Sequence, residues 1–346
     1  MDVVIAAIVF VAVLLYALFG GADYGCGIWD LTAGDAEAGG DVRAQIDRSI
    51  GPVWEANHVW LIAVLVYLWT GFPEAFAAIM TTLAVPWALV GLGIVFRGGA
   101  FVFRKSSSTL REARLHGAVF AVASVVTPFF LGTIAGGIAS GRVPLDGGDP
   151  LTSWTGPLSI VGGVLAVLAC AFLAATLLAS DAHLGGDEAR ARWFGRRALA
   201  AGAVTGVVAL VAAVTIESLA ETETLADGLH GRAAPLIVLS ALGGLAALVD
   251  LRAGRWLRAR VGAFVAVGAV VAGWGVAQYP WILVDQAEIG DVAGDDATLI
   301  ALLVAFGLAG LIAVPALVWL YRLVDQPSWR APASMGSDGD ASSAGG

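Results

Sequence analysis

Charge is scarce in this 346-residue chain: 14 % of its residues are Asp, Glu, Lys or Arg, against roughly 25 % in soluble globular domains. Hydrophobic residues make up 58 %, so the sequence reads as an integral membrane protein. Cysteine is nearly absent. Only Cys26 and Cys170 occur, both inside apolar stretches. With no CxxC or CxxCH spacing, a zinc knuckle and covalent haem attachment are both excluded, and the two thiols read as buried packing groups. The net charge is −9 and no basic run is interleaved with stacking aromatics, which excludes nucleic acid as a partner. Gly162-Gly163 follows no strand and precedes no Lys, so it is not a phosphate loop. The start, Met1-Asp2-Val3-Val4, lacks a basic stretch and leads into an apolar run long enough to remain as a span. We therefore expect no cleaved signal peptide.

What is present is a series of long apolar runs. Segments able to cross about 30 Å of hydrocarbon predict nine spans, near 3–30, 54–71, 74–103, 115–139, 157–181, 198–218, 234–251, 259–281 and 298–323. Pro52, Pro73, Pro157 and Pro235 stand at expected helix starts. Pro86, Pro128 and Pro315 fall inside spans and predict kinks. With the N-terminus outside, 17 of the 19 Lys and Arg residues fall in inner segments, leaving Arg142 and Arg232 outside; this bias predicts an N-out, C-in arrangement. The expected fold is an all-α integral membrane protein of nine transmembrane helices, two four-helix bundles plus one peripheral helix. Residues 1–325 form the membrane domain. Residues 326–346, rich in Ser, Gly, Ala and Asp, predict a disordered cytoplasmic tail. The 32–51 segment reads as a polar loop on the inner surface.

The most informative stretch is Pro52-Val-Trp-Glu-Ala-Asn-His-Val-Trp60, which places Glu55, Asn57 and His58 between Trp54 and Trp60 where a span begins. With Asp23 in the first span and Arg97 in the third, charged groups from three helices share one half of the membrane. Such groups cost roughly 2.5–3.5 kcal/mol each on insertion scales, so they usually serve a function. Glu55 and His58 project from one helical face, and carboxylates and imidazole can bind and release protons. Glu55, Asp23 and His58 are therefore the candidates for a proton path, packed about by Trp54, Asn57 and Trp60. Arg97 stays protonated and is the expected charge partner of a buried carboxylate. The blander alternatives are an interhelical bond for Asp23, a helix-start acid at Glu55, a packed polar His58, and an interfacial aromatic belt for Trp54 and Trp60. Gly20, Gly21, Gly25 and Gly27 predict close approach of a neighbouring helix. His116, His183 and His230 have no axial partner at helical spacing, and no metal site is expected.

These residues carry a resemblance. Gly21-Ala22-Asp23-Tyr24-Gly25, Ile50 through Trp60, Phe72-Pro73, Phe96-Arg97-Gly98-Gly99-Ala100-Phe101 to Arg104, Pro128 to Gly132 and Pro315 to Tyr321 together resemble subunit II of the cytochrome bd-type quinol oxidases. The resemblance implies a haem-free subunit, not catalytic alone, of an oxygen-reducing quinol oxidase in the bacterial or archaeal cytoplasmic membrane. It pairs with a haem-bearing subunit I that holds two b-type haems and one d-type or variant haem and oxidises quinol from outside; a small single-helix subunit is a further partner in this expectation. The resemblance also implies a hydrophilic route from the cytoplasm, with Glu55 at its acidic position and Asp23 at the acid of the first span, and in some members a structural quinone. This chain departs from the family at Ala56 for Gly, His58 for Glu or Gln, and Tyr24 and Cys26 for aliphatic residues. The rival reading is a stand-alone proton- or ion-coupled secondary transporter. That class often shows paired repeats with broken midplane helices, whereas the charges here gather in the first half only.

Overall fold

A computed structural model describes residues 1–34, 39–50, 54–107 and 109–324. The side chains of Trp54, Glu55 and Ala56, and the proposed tail from 326 onwards, lie outside the described residues.

The chain is a succession of helices. α1 (Asp2–Leu15) continues through a π-helical turn (Tyr16–Gly20) into α2 (Gly21–Leu31). α3 (Gly40–Ile50) is followed by α4 (Trp54–Gly71), α5 (Pro73–Thr82), α6 (Ala84–Ser106) and α7 (Leu110–Ala139). The second half holds α8 (Pro157–Leu184), α9 (Glu188–Ser218), a short 3-10 turn (Ala220–Thr222), α10 (Glu223–His230), α11 (Ala234–Arg252) and α12 (Trp256–Gln278). After it come two short strands, β1 (Trp281–Leu283) and β2 (Ala287–Glu288), paired antiparallel, and then α13 (Asp296–Val324). Among the described residues eight helices are long and apolar enough to cross a membrane; counting a bent pair as one span raises this to nine at most. Among the described residues this strand pair is the one departure from helical secondary structure.

Local chemistry explains the element ends. Thr109 and Glu112 form a capping box at the start of α7, and Asp187 accepts from the Arg190 backbone N–H at the start of α9, satisfying donors that a helix leaves open. Pro157 opens α8 at a position where its missing N–H costs nothing.

Two expectations need correction. The 32–51 segment is not simply a loop: α3 buries Val42, Ile46 and Ile50 at helical spacing. The single span expected at 74–103 is divided at Leu83 into α5 and α6. α4 and α5 meet at a bend of 119°, with Pro73 opening α5 just after the non-helical Phe72. The break at Leu83 is the disruption expected of Pro86, in a stronger form than a kink: its missing N–H cannot bond the Thr82 carbonyl and its ring crowds it, and α5 ends at Thr82.

Within Met1–Leu299, one compact unit, the second-half helices close a ring: α8 packs on α9, α9 on α11, α11 on α12, and α12 returns to α8. In the first half α1 packs on α4, and α7 on both α2 and α6. α8 joins the halves by packing on α2 and α7. Its middle, Leu173, Ala174, Ala175, Leu178 and Ala179, is fully buried, and small side chains there let helices approach closely. Gly25 is such a point, since an added Cβ would fall 1.9 Å from the Cys170 carbonyl oxygen of α8. Outward faces are apolar, as at Val207, Leu210 and Val214 of α9 and Leu242 and Leu245 of α11. Residues from Ile300 onward form a separate unit that contains the rest of α13, with Pro315 inside it.

Candidate functional site

Arg97 of α6 meets Asp23 of α2 in a sealed, two-pronged ion pair. Nη2 donates to Oδ1 at 2.7 Å and Nη1 to Oδ2 at 3.0 Å, while Nη2 also reaches the Asp23 carbonyl at 3.0 Å. The side chains are 3 % and 2 % exposed. Nε donates to Ser124 Oγ of α7 at 3.0 Å, and that hydroxyl donates to the Phe120 carbonyl at 2.7 Å. The guanidinium also lies 4.8 Å from the ring centroids of Tyr24 and Phe120. A planar fork facing a carboxylate gives short charge-assisted bonds. Removing the negative charge, by a proton or a mutation, would leave a buried guanidinium without compensation. Gly27 makes room for this arrangement, because a Cβ there would lie 2.1 Å from Ser124 Oγ.

Seven residues further along both helices the pattern repeats. Arg104 of α6 donates from Nη1 to Oδ2 of Asp30 on α2 and from Nη2 to Oδ1 of Asp47 on α3. Asp30 Oδ1 accepts from Arg43 Nε of α3 at 2.7 Å, and Arg43 Nη2 donates to the Gly34 carbonyl at 2.7 Å. Arg104 also lies 5.2 Å from the Phe120 ring, so one aromatic ring of α7 is shared by both arginines. Each acid precedes its arginine by 74 residues, and a seven-residue step is close to two helical turns. The two pairs are thus successive rungs between α2 and α6.

Asn57 and His58 of α4 dock on the π-helical turn that leads into α2. Asn57, 5 % exposed, donates from Nδ2 to the Phe19 carbonyl at 3.3 Å. Phe19 lies within the π-helical turn, where the widened ring disturbs the ordinary i→i−4 ladder. The His58 ring stands edge-on to Tyr16, with centroids 6.2 Å apart. Tyr16 and Tyr24 share a hydroxyl–hydroxyl hydrogen bond of 3.0 Å. Trp60 packs, partly buried, on Tyr16, Tyr24 and Leu61. His58 and Trp60 are thus linked to the Asp23–Arg97 pair through Tyr16 and Tyr24, and Asn57 holds the adjoining turn. Glu55 begins the same helix by its backbone, but its side chain and that of Trp54 lie outside the described residues.

Sequence reasoning missed Asp30, Arg43, Asp47 and Arg104. The signal was available: acids at 23 and 30 and arginines at 97 and 104 keep one interval on two helices. It also missed a cavity of about 560 Å³, whose lining includes Phe10, Tyr16, Tyr24, Trp87, Trp274 and Gln278. The cavity is overwhelmingly apolar. Yet the indole N–H groups of Trp87 and Trp274 and the side-chain oxygen of Gln278 are buried with no hydrogen-bond partner among the described residues, and such groups are costly unless something answers them. Among the described residues no group of three or more His, Cys, Asp or Glu side chains is placed to hold a metal ion.

Comparison with known proteins gives three findings. A family model described as cytochrome bd terminal oxidase subunit II matches residues 1–324. The cytochrome bd ubiquinol oxidase subunit 2 of Bacillus subtilis (strain 168) is 30 % identical over 168 residues, 47 % of this chain and 48 % of that protein. A putative cytochrome bd menaquinol oxidase subunit II of the same organism is 26 % identical over 224 residues, 62 % of this chain and 61 % of the other. The chain thus spans about half to three-fifths of the length of these curated relatives. A solved structure of the bd oxidase from Geobacillus thermodenitrificans shares the fold, with a TM-score of 0.76 at 22 % identity, over 93 % of this chain and 98 % of that one.

Proposed function

This multi-pass membrane protein belongs to the cytochrome bd terminal oxidase subunit II family, and from that premise we propose that it is the haem-free subunit of a quinol:oxygen oxidoreductase that conducts protons from the cytoplasm. In this reading it crosses the membrane nine times, N-out and C-in, in two four-helix bundles with one peripheral helix, and packs against a haem-bearing subunit I. That partner, with its two b-type haems and one d-type or variant haem, takes electrons from quinol on the outer side and reduces oxygen to water. Proton uptake inside and release outside would make the reaction electrogenic. The transporter alternative is not favoured, since the family match runs through nearly the whole chain.

The observation that supports the proton route is the docking of α4 on the π-helical turn before α2: Asn57 grips the Phe19 carbonyl, and His58 stands against Tyr16, which reaches the Asp23–Arg97 pair through Tyr24. Glu55 and His58 lie three residues apart on that helix and are the groups we assign to accept protons. The assignment of Asp23 is refined. Both its oxygens are engaged by Arg97, so it serves the route as one half of a fixed charge pair and not as a carrier. The quinone expected from the resemblance fits the cavity by the chemistry of its lining: an apolar chain matches the walls, and the Trp87 and Trp274 indoles are free to donate to carbonyl oxygens. Such a molecule would be a structural lipid.

The test is Glu55→Gln in the assembled oxidase. Loss of a positioned proton acceptor should slow turnover by at least about tenfold while the haem absorption spectrum is retained. Wild-type turnover in that variant would refute the route.

A further inference from the structure

α3 bonds to the second rung and precedes α4 in the chain, and its surface is divided between apolar burial and charge. Val42, Ile46 and Ile50 form one stripe buried in the core. Beside it, Arg43 and Asp47, four residues apart and so one above the other on the helix, reach into the cluster with Asp30 and Arg104. The cluster holds two acids and two arginines. It ties three helices together: α2 through Asp30, α6 through Arg104 and α3 through both of its members. Burial alone would anchor α3 without fixing its position along the core, because an apolar stripe is non-directional. Four charged groups joined by oriented bonds fix that position.

Only residues 51–53 separate the end of α3 from the start of α4. Three intervening residues let the two ends lie at most about 14 Å apart. Where α3 sits therefore limits where Trp54 and Glu55 can sit. We propose that the Asp30–Arg43–Asp47–Arg104 cluster is a positioning latch, which holds α3 against the ends of α2 and α6 and so sets the placement of the α4 start for proton entry. Arg104 is the central member because it bonds two carboxylates on two helices. It is a positioning residue, acting through α3 on the first turn of α4. The inference rests on the proposed role of Glu55 only for its effect on turnover; the latch itself is read independently.

The test compares Arg104→Gln, Arg104→Lys and Asp47→Asn with wild type in the assembled, haem-loaded oxidase. Amide hydrogen exchange over 40–50 should rise at least tenfold in Arg104→Gln. The kcat should fall three- to tenfold, with the quinol KM and the haem spectrum unchanged. The solvent deuterium isotope effect on turnover should rise, because proton entry becomes a slower step. Arg104→Lys, which can bond one carboxylate but lacks the fork, should recover part of both effects. If Arg104→Gln does not assemble, Asp47→Asn carries the test, since its side chain is 31 % exposed and its loss is milder. Unchanged exchange over 40–50 would overturn the latch. Faster exchange with wild-type kcat and isotope effect would overturn its positioning role. Slower turnover here beside normal turnover in Glu55→Gln would instead refute the inlet acid and leave the latch standing.

Discussion

Asp23 and Arg97 are almost wholly sealed from solvent, whereas the second rung ends in Arg43 and Asp47, each about 30 % exposed. The two rungs join the same helices at the same interval, share Phe120, and each use a two-pronged arginine. They differ in how many partners stand in reserve. Arg97 has one carboxylate, one hydroxyl and one carbonyl, all buried. Arg104 has two carboxylates, and Asp30 has two arginines. A sealed pair is intolerant because neither water nor a spare group can replace a lost member. A wet cluster can redistribute its bonds. The first therefore fixes the helices, and the second is where adjustment can occur.

The sharpest test of that distinction is the same substitution at both acids. Asp23→Asn strands the Arg97 guanidinium and should cost about 3–5 kcal/mol, read as lower yield and thermal stability of the purified oxidase. Asp30→Asn should cost about 1–2 kcal/mol, the scale of a weakened charged hydrogen bond with partners in reserve. Removing both charges in Asp23→Leu/Arg97→Leu should recover much of the first loss. Equal losses at the two acids would erase the difference between the rungs.

A smaller effect is expected from the space beside the sealed rung. Gly27→Ala drives a methyl group into Ser124, the hydroxyl that receives Arg97 Nε, and should cost about 1–3 kcal/mol as overpacking does. Gly91→Ala is the control, since an added Cβ there meets nothing within 4 Å. Thermal stability separates them: the Gly27 variant should melt lower and the Gly91 variant no lower than wild type. If both melt alike, the sealed rung has slack that its geometry does not suggest.

How much of this was legible in the sequence follows from what kind of signal each feature leaves. Long helices announce themselves by apolar run length, and Pro73 and Pro157 mark starts by backbone chemistry alone. Arg97 and Asp23 could be placed in the same half of the membrane because each is a rare charge in an apolar run. α3 was misread because eleven residues with Arg43, Asp47 and Arg48 among them are too short and too polar for a span. Only the i, i+4 stripe of Val42, Ile46 and Ile50 marks the helix. Pro86 marked the middle of a span, and the break at Leu83 falls three residues before it, where a proline leaves the i−4 carbonyl unpaired. The cavity beside Trp87 and Trp274 is lined by helices far apart in sequence, so no local pattern encodes it.

The smallest predicted effect divides charge from geometry in the wet rung. Arg43 is 30 % exposed, so Arg43→Gln should cost no more than about 1 kcal/mol. Part of that cost is ionic and part is the bond to the Gly34 carbonyl. Salt separates the two. Raising ionic strength from 0.1 M to 1 M shortens the screening length from about 10 Å to about 3 Å, which weakens exposed pairs and leaves sealed ones almost untouched. The melting deficit of Arg43→Gln should therefore shrink at high salt, while that of Asp23→Asn persists. A deficit at Arg43 that ignores salt would mean that its hydrogen bond to Gly34, and not its charge, holds the end of α2, and the second rung would then differ from the first in kind and not only in exposure.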